Sequence, residues 1–459
     1  MKRHIGKYTN LMLVLLTIGF LTASDTAFAA RPAVKPLIMA HYMPWYQYPP
    51  LNNIFNHWTQ NPKMFDLSRK PDGKVNIASY FYPLTGPYDS SDDAVLEYQA
   101  ALFKIAGIDG VIFDWYGTSG ALDYGPINKA TVKAVSVFKK AELKFAICYE
   151  DQTASNRIKY AGLDPSQAVS EAKKDFDWLQ QNFFNDQYYL KHNGRPVVLC
   201  FGPQYFEEKN QWNTIFTSVK PKPLFVTENG EASWEDAVFS WAWPNPDGSG
   251  VLEKNWTENG FYAKHTDKNY LIASAYSMFD DGIIVETDGY SKKRRLIDYD
   301  GGKTLEWTLD MARKNNPQVI QLVTWNDYGE GNIFEPTIEY GYRDIIVVKN
   351  FIENSLSIDL KFTDIDLSAP IELYRIAGDP AADTALKNKV KEIYAAIFTG
   401  DKSTFDIKIA EADIHYDGSV KPVYEPEREN VGGSGGGCAT GAFDMVVLAI
   451  AVVFISAKR

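Results

Sequence analysis

The sequence is poor in cysteine, in histidine and in positive charge. Its 459 residues include 3 cysteines and 6 histidines, and 47 basic against 58 acidic groups give a net charge of −11. So few cysteines exclude a disulfide-rich scaffold. The acidic balance argues against a nucleic-acid-binding protein, which usually carries a basic face. It favours a neutral or cationic ligand over a polyanion.

Aromatic residues, by contrast, are abundant. The chain has 27 tyrosines and 11 tryptophans, and aromatic residues make up 14% of it. Rings with a polar tip suit core packing, and they also suit the binding of sugars and other ring-shaped ligands. With 45% hydrophobic and 23% charged residues, the composition is that of a globular protein.

Residues 1–29 have the pattern of a secretory signal peptide. A basic start is followed by an apolar stretch from Leu11 to Leu21, and residues 27–29 read Ala-Phe-Ala, an A-x-A cleavage site. A membrane-spanning anchor would need a longer apolar run. The pattern therefore predicts a secreted chain that begins at Ala30.

The other end of the chain predicts attachment to the cell envelope. A linker rich in Pro and Gly over residues 418–437 stops directly before Cys438, and an apolar run from Met445 to Ile455 and a basic end follow. Residues 438–459 resemble bacterial C-terminal sorting tails, in which the Cys is processed or lipidated. The alternative is a plain tail anchor, although the run is short for a span of ~20 residues. Both interpretations place the body outside the cytoplasm, at the cell surface or outer envelope.

The body alternates short apolar runs with helical patterns. Runs without polar alternation suit strands that are buried on both faces, as in parallel sheets. Eight such units predict an α/β fold, a (β/α)8 TIM barrel over residues 30–350. Only nine residues separate the fifth run from the sixth, which is short for a crossover helix. The runs are Leu37–His41, Gly110–Phe113, Phe145–Tyr149, Val197–Phe201, Leu224–Thr227, Ala237–Trp241, Leu271–Ser274 and Val319–Trp325.

The helices are predicted from apolar stripes at helical spacing. They cover Asp93–Ala106, with Ser91 as its cap, and also Lys129–Ala141, Gln167–Phe183 and Thr304–Lys314. Residues 351–417 are expected to form a small, mostly helical C-terminal extension. Cys148 and Cys200 lie in apolar runs, so we expect them to be buried packing residues, with a disulfide between them as the alternative.

Reactive groups of such a barrel lie at the C-terminal ends of its strands. The predicted strand ends collect aromatic rings and carboxylates, which a core does not need but which a sugar site does. The predicted substrate-contacting residues there are Tyr42, Trp45, Tyr46, Asp114, Trp115, Tyr116, Tyr149, Glu150, Trp241, Trp243 and Tyr276.

The segment after the eighth run carries two carboxylates, Asp327 and Glu330, and Trp325 and Asn326 precede them as further contact candidates. If the chain turns there, as Gly329 and Gly331 permit, both carboxylates face one pocket. Glycosidic cleavage commonly needs two carboxyl groups, and two like charges at close range separate their pKa values. The alternative is a structural loop in which Asp327 caps the turn and Glu330 is solvated.

Two further groups carry weaker signals. His41 and His57 are too isolated in the sequence to indicate a metal site, and no metal is predicted. His41 either lines the pocket or is a packed histidine. The basic run Lys292–Arg295 could bind an anionic sugar, although a solvated charge run is the more common case.

Residues 325–330, Trp-Asn-Asp-Tyr-Gly-Glu, match the WNDYGE motif of the α-1,3-glucanases of glycoside hydrolase family 71. Endo-α-mannosidases and endo-α-mannanases of family 99 carry WNEWHEG at this place, and the chain resembles the bacterial group between the two families. Weaker matches are His41–Tyr46, the Ala106–Gly110 segment before Phe113–Tyr116, and Gly194–Val197. The resemblance covers residues 36 to 350.

The resemblance implies a barrel that acts on an α-linked glycan without a metal or organic cofactor. It implies that Asp327 and Glu330 are catalytic. The family 99 pattern makes Glu330 the general acid/base and Asp327 an assistant at the sugar 2-hydroxyl, whereas family 71 uses the pair as acid and base with inversion. Glu150 stands where family 99 has an active-site carboxylate. Asp327 is shorter than the family 99 Glu and Gly329 replaces its His, which favours the glucanase side. Gly331-Asn332 departs in turn from the Ser-His that is usual after the glucanase motif.

Together these features predict a secreted, surface-attached glycoside hydrolase, a monomer, that cleaves α-glucan or α-mannan without a cofactor. The alternative from another class is a non-catalytic carbohydrate-binding barrel, kept at the surface as a receptor. Such a protein could retain both carboxylates as hydrogen-bond acceptors.

Overall fold

Eight parallel strands close into a ring in the computed structural model. They are β1 (Leu37–Tyr42), β2 (Gly110–Trp115), β3 (Lys144–Tyr149), β4 (Arg195–Cys200), β5 (Leu224–Glu228), β6 (Ala237–Phe239), β7 (Tyr270–Ala275) and β8 (Val319–Leu322). Each strand pairs with the next, and β8 pairs with β1, where Met39 lies opposite both Gln321 and Gly110. Every predicted run is a strand of this ring, so the (β/α)8 barrel is confirmed.

The structure describes residues 34–418 except 53–55, 62, 231, 233, 235–236, 245–248, 288 and 290–292. The predicted signal peptide, the linker beyond 418 and the sorting tail lie outside the described residues, as does Lys292.

Helices surround the ring and follow most of its strands. The first of them, over residues 93–106, has the predicted bounds, but its cap is Asp92 and not Ser91, because the Asp92 carboxylate accepts a hydrogen bond from the Ala94 N–H at 2.9 Å. The helices are α1 (Asp93–Ala106), α2 (Tyr124–Phe138), α3 (Thr153–Ala161), α4 (Ala168–Asn182), α5 (Lys209–Ile215), α6 (Gly282–Thr287), α7 (Lys303–Lys314), α8 (Arg343–Ser355), α9 (Ala369–Gly378), α10 (Thr384–Thr399) and α11 (Lys402–Ala412).

The connection between β5 and β6 is unusual for this fold. The two strands pair in parallel, with Thr227 opposite Val238, yet residues 229–236 contain no helix at the positions that the structure describes there. The short spacing in the sequence therefore leaves too few residues for an ordinary crossover helix between these parallel strands. Between β6 and β7 the chain forms one π-helical segment, Trp256–Tyr262.

Side chains alternate along each strand between the barrel interior and the layer under the helices. Met39, Ile112, Cys148 and Leu199 pack with one another in the interior. The residues next to them in sequence pack outward against the helices, in a core that includes Ile38, Val111, Ile147, Val198 and helix residues such as Leu102, Leu179 and Leu309. Cys148 and Cys200 are both buried and unbonded, in opposite layers, which confirms the packing prediction.

Gly110 lets β2 approach β3 closely. A Cβ atom at this position would lie 2.1 Å from the carbonyl oxygen of Lys144, so any larger residue would push the two strands apart. This is the glycine that ends the Ala106–Gly110 segment.

The helices that follow the barrel confirm a mostly helical C-terminal region. α8 extends across the boundary predicted at residue 350, and α9, α10 and α11 come after it. Val390, Ile393 and Ile397 of α10 are buried in the same core layer as Leu102 of α1. Within the described part of the chain, no helix combines the length and the apolar character that crossing a membrane requires.

Candidate active site

Both sequence-predicted catalytic carboxylates lie on a tight hairpin directly after β8. Its strands are β9 (Asn326–Asp327) and β10 (Asn332–Ile333), with Asp327 opposite Asn332. Gly331 adopts the left-handed conformation, φ +58°, that closes the turn, whereas Gly329 has ordinary negative φ. The Glu330 N–H donates to Asp327 Oδ1 at 3.0 Å.

The hairpin buries both acids. Asp327 is 5% exposed and Glu330 7%. Asp327 does cap its own turn, as the structural alternative proposed, but Glu330 is not solvated as that alternative requires. The local structure of one hairpin turn therefore holds two acids and shields both of them from water.

Two more carboxylates come to the same place from neighbouring strands. Asp114 ends the inward face of β2, and Glu150 follows β3 directly. Both are buried, and the charge of Asp114 acts on Glu150 while the charge of Asp327 acts on Asp114. The mouth of the barrel thus holds an acidic cluster, which we define as Asp114, Glu150, Asp327 and Glu330.

Burial raises the pKa values of Asp327 and Glu330 by different amounts. Burial, together with the negative charge of Asp327, raises the pKa of Glu330 to about 8, and the positive charge of Arg295 opposes the rise. Burial raises the pKa of Asp327 only to about 6, because the Glu330 and Gly329 N–H groups and His57 favour its ionised form. At neutral pH the pair therefore contains one ionised and one protonated carboxyl group.

Burial also dominates at the other two members of the cluster. It raises the pKa of Asp114 to about 7, with hydrogen bonds from its neighbours opposing the rise. The pKa of Glu150 lies well above its ordinary value for the same reason, reinforced by Asp114. The cluster therefore holds fewer negative charges at neutral pH than its four carboxyl groups suggest.

Arg295 lies beside Glu330, and the sequence reasoning missed this partner of the pair. Its Nε donates to Asp281 Oδ2 at 2.7 Å, and its terminal nitrogen lies 3.7 Å from Glu330 Oε1. Its neighbour Arg294 pairs with Asp280. The prediction of a solvated run holds for the Arg294 side chain, which is 51% exposed, and is wrong for Arg295, whose side chain is 23% exposed and paired. The sequence did contain a signal for these ion pairs. Asp280 and Asp281 are two adjacent acids, and they pair with the two adjacent arginines.

Two of the predicted rings, Trp45 and Tyr116, lie on the β1 and β2 side of the site. Trp45 stacks on His57 with centroids 4.6 Å apart and planes 3° apart, and His57 Nε2 lies 2.9 Å from Asp123 Oδ2. Tyr116 hydrogen-bonds with Asp114 and stacks on Tyr124 at 5.3 Å.

On the β6 and β7 side, Trp241 meets His41 edge-on at 4.7 Å in the barrel interior. Trp243 is 36% exposed and stacks on Trp256 at 4.2 Å, so it presents a flat aromatic surface to solvent. Tyr276 is buried and hydrogen-bonds with Thr257.

Four aromatic rings that were predicted to contact substrate point away from the barrel interior. Tyr42, Trp115, Tyr149 and Trp325 are at most 1% exposed and pack in the layer between the strands and the helices. Their partners lie there too, since Trp115 Nε1 donates to Asn128 Oδ1 at 3.0 Å and Trp325 meets Phe103 edge-on at 4.5 Å. The prediction that they contact substrate is corrected: each occupies the outward position beside an inward residue.

Asn326 and Tyr46 hold the hairpin in place instead of facing the cluster. The Asn326 side chain accepts from the Met43 N–H at 2.8 Å and donates to the Met43 carbonyl at 3.0 Å. Tyr46 donates its hydroxyl hydrogen to the Asn326 carbonyl at 2.9 Å and accepts from the Tyr328 N–H at 3.1 Å. Both residues fasten the hairpin to the end of β1.

Glu335 is a further buried acid in this segment that the sequence reasoning passed over. It accepts hydrogen bonds from Gln99, Tyr88 and Tyr328 at 2.7–2.8 Å. Burial raises its pKa to about 7. Since all three donors point into the carboxylate, Glu335 organises the support of the hairpin.

One cavity and one group of possible metal ligands are found among the described residues. A cavity of about 260 Å³ lies beside Trp45, between the loop after β1 and α2, but no member of the acidic cluster lines it. Among the described residues, one group has the chemistry and spacing of metal ligands, namely His41, Asp114 and Cys148.

Comparisons with known proteins relate the chain to glycoside hydrolases. The family model for Glycosyl hydrolase family 71 matches residues 141–344, which include Glu150, Asp327 and Glu330. The chain is a glycoside hydrolase. Its similarity to family 71 covers the barrel from β3 to the hairpin.

This hydrolase has relatives among the endo-alpha-1,2-mannosidases and proteins like them. It is 23% identical over 323 residues to the glycoprotein endo-alpha-1,2-mannosidase-like protein of Danio rerio, covering 65% of this chain and 70% of that protein. It is 20% identical over 347 residues to the glycoprotein endo-alpha-1,2-mannosidase of Rattus norvegicus, covering 69% and 71%. The GH99 endo-alpha-mannosidase from Bacteroides thetaiotaomicron superposes with a TM-score of 0.52 and 17% identity, over 71% of this chain and 100% of that one, and has the same fold. These findings support the predicted place between families 71 and 99.

Proposed function

We propose that this hydrolase cleaves α-linked polysaccharide of mannose or glucose, with Glu330 as general acid/base and Asp327 as its ionised partner. The observation that carries the proposal is the hairpin, which holds two buried acids three residues apart with their pKa values on either side of neutrality. The substrate class is supported by the similarity to family 71 and to the endo-alpha-mannosidases.

The chemistry follows from the two protonation states. Protonated Glu330 gives its proton to the glycosidic oxygen as the bond to the anomeric carbon breaks. Ionised Asp327 takes a proton either from the attacking water or, in an α-mannoside, from the sugar 2-hydroxyl, which lies trans to the leaving group. Direct attack by water inverts the anomeric configuration, whereas attack by the 2-oxygen followed by water retains it. The configuration of the first product, read by NMR, distinguishes the two.

The rings at the mouth suit a sugar chain. Trp243 offers an exposed flat face, Trp45 lies partly open beside His57, and Tyr116 orients Asp114. Apolar ring faces of sugars stack on such surfaces, while carboxylates accept hydrogen bonds from sugar hydroxyls.

We propose in addition that the protein is exported and held at the cell envelope as a monomer. This proposal is supported by the signal-like residues 1–29 and by the Cys438 tail. Fractionation of cells, with the wild-type chain compared with Cys438→Ser, tests it: release of the variant into the medium is expected, and equal retention of both proteins contradicts a role for Cys438.

The deciding experiment measures product release from α-1,3-glucan, α-mannan and other α-linked glycans by the purified full chain. Asp327→Asn and Glu330→Gln are expected to lower kcat by about 10²–10⁴-fold, the usual contribution of a general acid or base. Glu335→Gln is the matched control, since it removes an equally buried acid five positions from Glu330 that the mechanism does not use. It should lower stability and leave kcat close to that of the wild type.

The outcomes also distinguish a catalytic protein from the receptor alternative. Binding of a glycan by all three proteins without product release would contradict catalysis and support a carbohydrate-binding barrel. Wild-type kcat in Glu330→Gln would contradict the assignment of the pair.

A further inference from the structure

Three neighbouring strands bring a nitrogen, an oxygen and a sulfur ligand together inside the barrel. His41 comes from β1, Asp114 from β2 and Cys148 from β3, and Asp114 and Cys148 are directly opposite in the strand register. One ligand atom from each side chain lies within 4.8 Å of the other two. All three are buried, with exposures of 0%, 2% and 0%.

The neutral imidazole of His41 has a fixed orientation. Gln321 donates its two amide hydrogens to the Ser240 carbonyl at 2.8 Å and to Ser274 Oγ at 2.9 Å. Gln321 Oε1 therefore faces His41 Nδ1, 3.2 Å away, and Nδ1 must carry the hydrogen. The lone pair of the ring is left on Nε2. Metal-binding histidines are oriented in this way, by a hydrogen bond from the second ring nitrogen.

Two acceptors of this group are unsatisfied. His41 Nε2 and Asp114 Oδ1 are buried and have no hydrogen-bond partner among the residues that the structure describes. Buried acceptors without a donor cost free energy, which a cation shared between them would offset. The ionisable neighbours of Cys148 are acids, since Asp114, Glu150 and Glu228 all act on it.

We propose that His41 Nε2, Asp114 and Cys148 Sγ bind one divalent transition-metal ion of the zinc class. Mixed N, O and S ligands suit Zn²⁺, whereas Mg²⁺ and Ca²⁺ take oxygen ligands. A water or the neighbouring Glu150 carboxylate completes the coordination. On binding, the Cys148 thiol loses its proton to solvent and the thiolate coordinates the ion, while His41 binds without losing a proton. The site ties β1, β2 and β3 together and shares Asp114 with the acidic cluster.

The chain offers a matched control for this site. Cys200, on β4, is as buried as Cys148, but it lies in the outer layer, away from the three ligands. The full chain, with Cys438→Ser in every sample to remove the remaining thiol, is stripped with a chelator and given Zn²⁺ or Co²⁺. Bound metal is counted after desalting, Co²⁺ is followed by its thiolate charge-transfer absorption, and thermal unfolding is recorded with and without Zn²⁺.

The expected result is one ion per chain, with a thiolate band and a Zn²⁺-dependent rise in Tm, because an ion that binds only the folded state stabilises it. Cys200→Ser should keep all three signals, and Cys148→Ser should lose the band and the rise. If Cys148→Ser does not fold, Asp114→Asn, which keeps the side-chain size, decides through an affinity at least about tenfold weaker.

Two results would overturn the proposal. One is a wild-type chain that retains no metal. The other is equal metal retention in Asp114→Asn and in folded Cys148→Ser, which would place the ion at other residues. Glycan hydrolysis by the metal-free protein is measured in parallel, so that failure of this site is not mistaken for failure of the proposed function.

Discussion

Adjacent residues at the same strand end differ in the direction of their side chains and in their surroundings. Asp114 and Trp115 are neighbours on β2, as Tyr149 and Glu150 are at the end of β3. Asp114 and Glu150 belong to the acidic cluster, whereas Trp115 and Tyr149 pack under the helices. The comparison teaches that proximity to a strand end does not define a site, because the side chain must also point into the barrel.

The largest expected effect comes from an outward residue. Trp115→Ala should lower the free energy of unfolding by about 3–5 kcal/mol, since a fully buried tryptophan is replaced by a cavity. The folded fraction should retain wild-type kcat. Denaturant unfolding and active-site-normalised kinetics check this, and a selective loss of kcat would show that the ring contacts substrate after all.

The inward neighbour should show the opposite pattern. Asp114→Asn is expected to lower kcat by about 10–100-fold, because the hydrogen-bonded charge beside Asp327 and Glu150 is removed. Burial raises the folded pKa of Asp114 from 3.8 to about 7, so the wild-type protein loses stability as the pH rises through that window. The variant should therefore unfold at a higher temperature than the wild type above pH 7, and at a similar one below pH 4. A lower Tm for the variant at high pH contradicts the assignment.

A third prediction concerns the charge on Glu330. The pH profile of kcat/KM should be a bell with limbs near pH 6 and 8, from ionised Asp327 and protonated Glu330. Arg295→Gln removes the cation that lowers the pKa of Glu330, so the alkaline limb should move to higher pH. Arg294→Gln is the control, since Arg294 pairs with Asp280 and not with Glu330. Equal shifts in both variants would rule out a specific role for Arg295.

The smallest effect is expected for Tyr149→Phe. The hydroxyl donates to Asp175 Oδ2 at 3.2 Å, and Asp175 keeps Arg157 and Thr118 as partners without it. The loss in unfolding free energy should be about 0.5–1.5 kcal/mol. KM and kcat should not change. An increase in KM would place this hydroxyl in the ligand site and weaken the distinction between the two faces.

Much of the barrel could be predicted from the sequence because its strands are buried on both faces. Each appears as an apolar run that turn residues bound, and all eight runs form strands of the ring. The hairpin of Asp327 and Glu330 was visible for a local reason too, since both acids and Gly331 lie within five residues.

The parts that could not be predicted depend on direction and on distant contacts. A run without polar alternation does not show which of its residues point inward, so Tyr42, Trp115, Tyr149 and Trp325 were placed with the ligand. Arg295 reaches Glu330 only through the folding of its loop. His41, Asp114 and Cys148 lie on three strands, and only the closure of the ring brings them together.

The hairpin has a mechanical consequence. The spacing of Asp327 and Glu330 is set within one turn of the chain, by the bond from the Glu330 N–H to the Asp327 carboxylate. We therefore expect changes in the barrel strands to shift Asp114 and Glu150 more than they alter the spacing of Asp327 and Glu330. Substitutions elsewhere in the barrel should therefore change the affinity for different glycans and leave the catalytic pair intact. Substrate specificity can then change during evolution without loss of the hydrolytic activity.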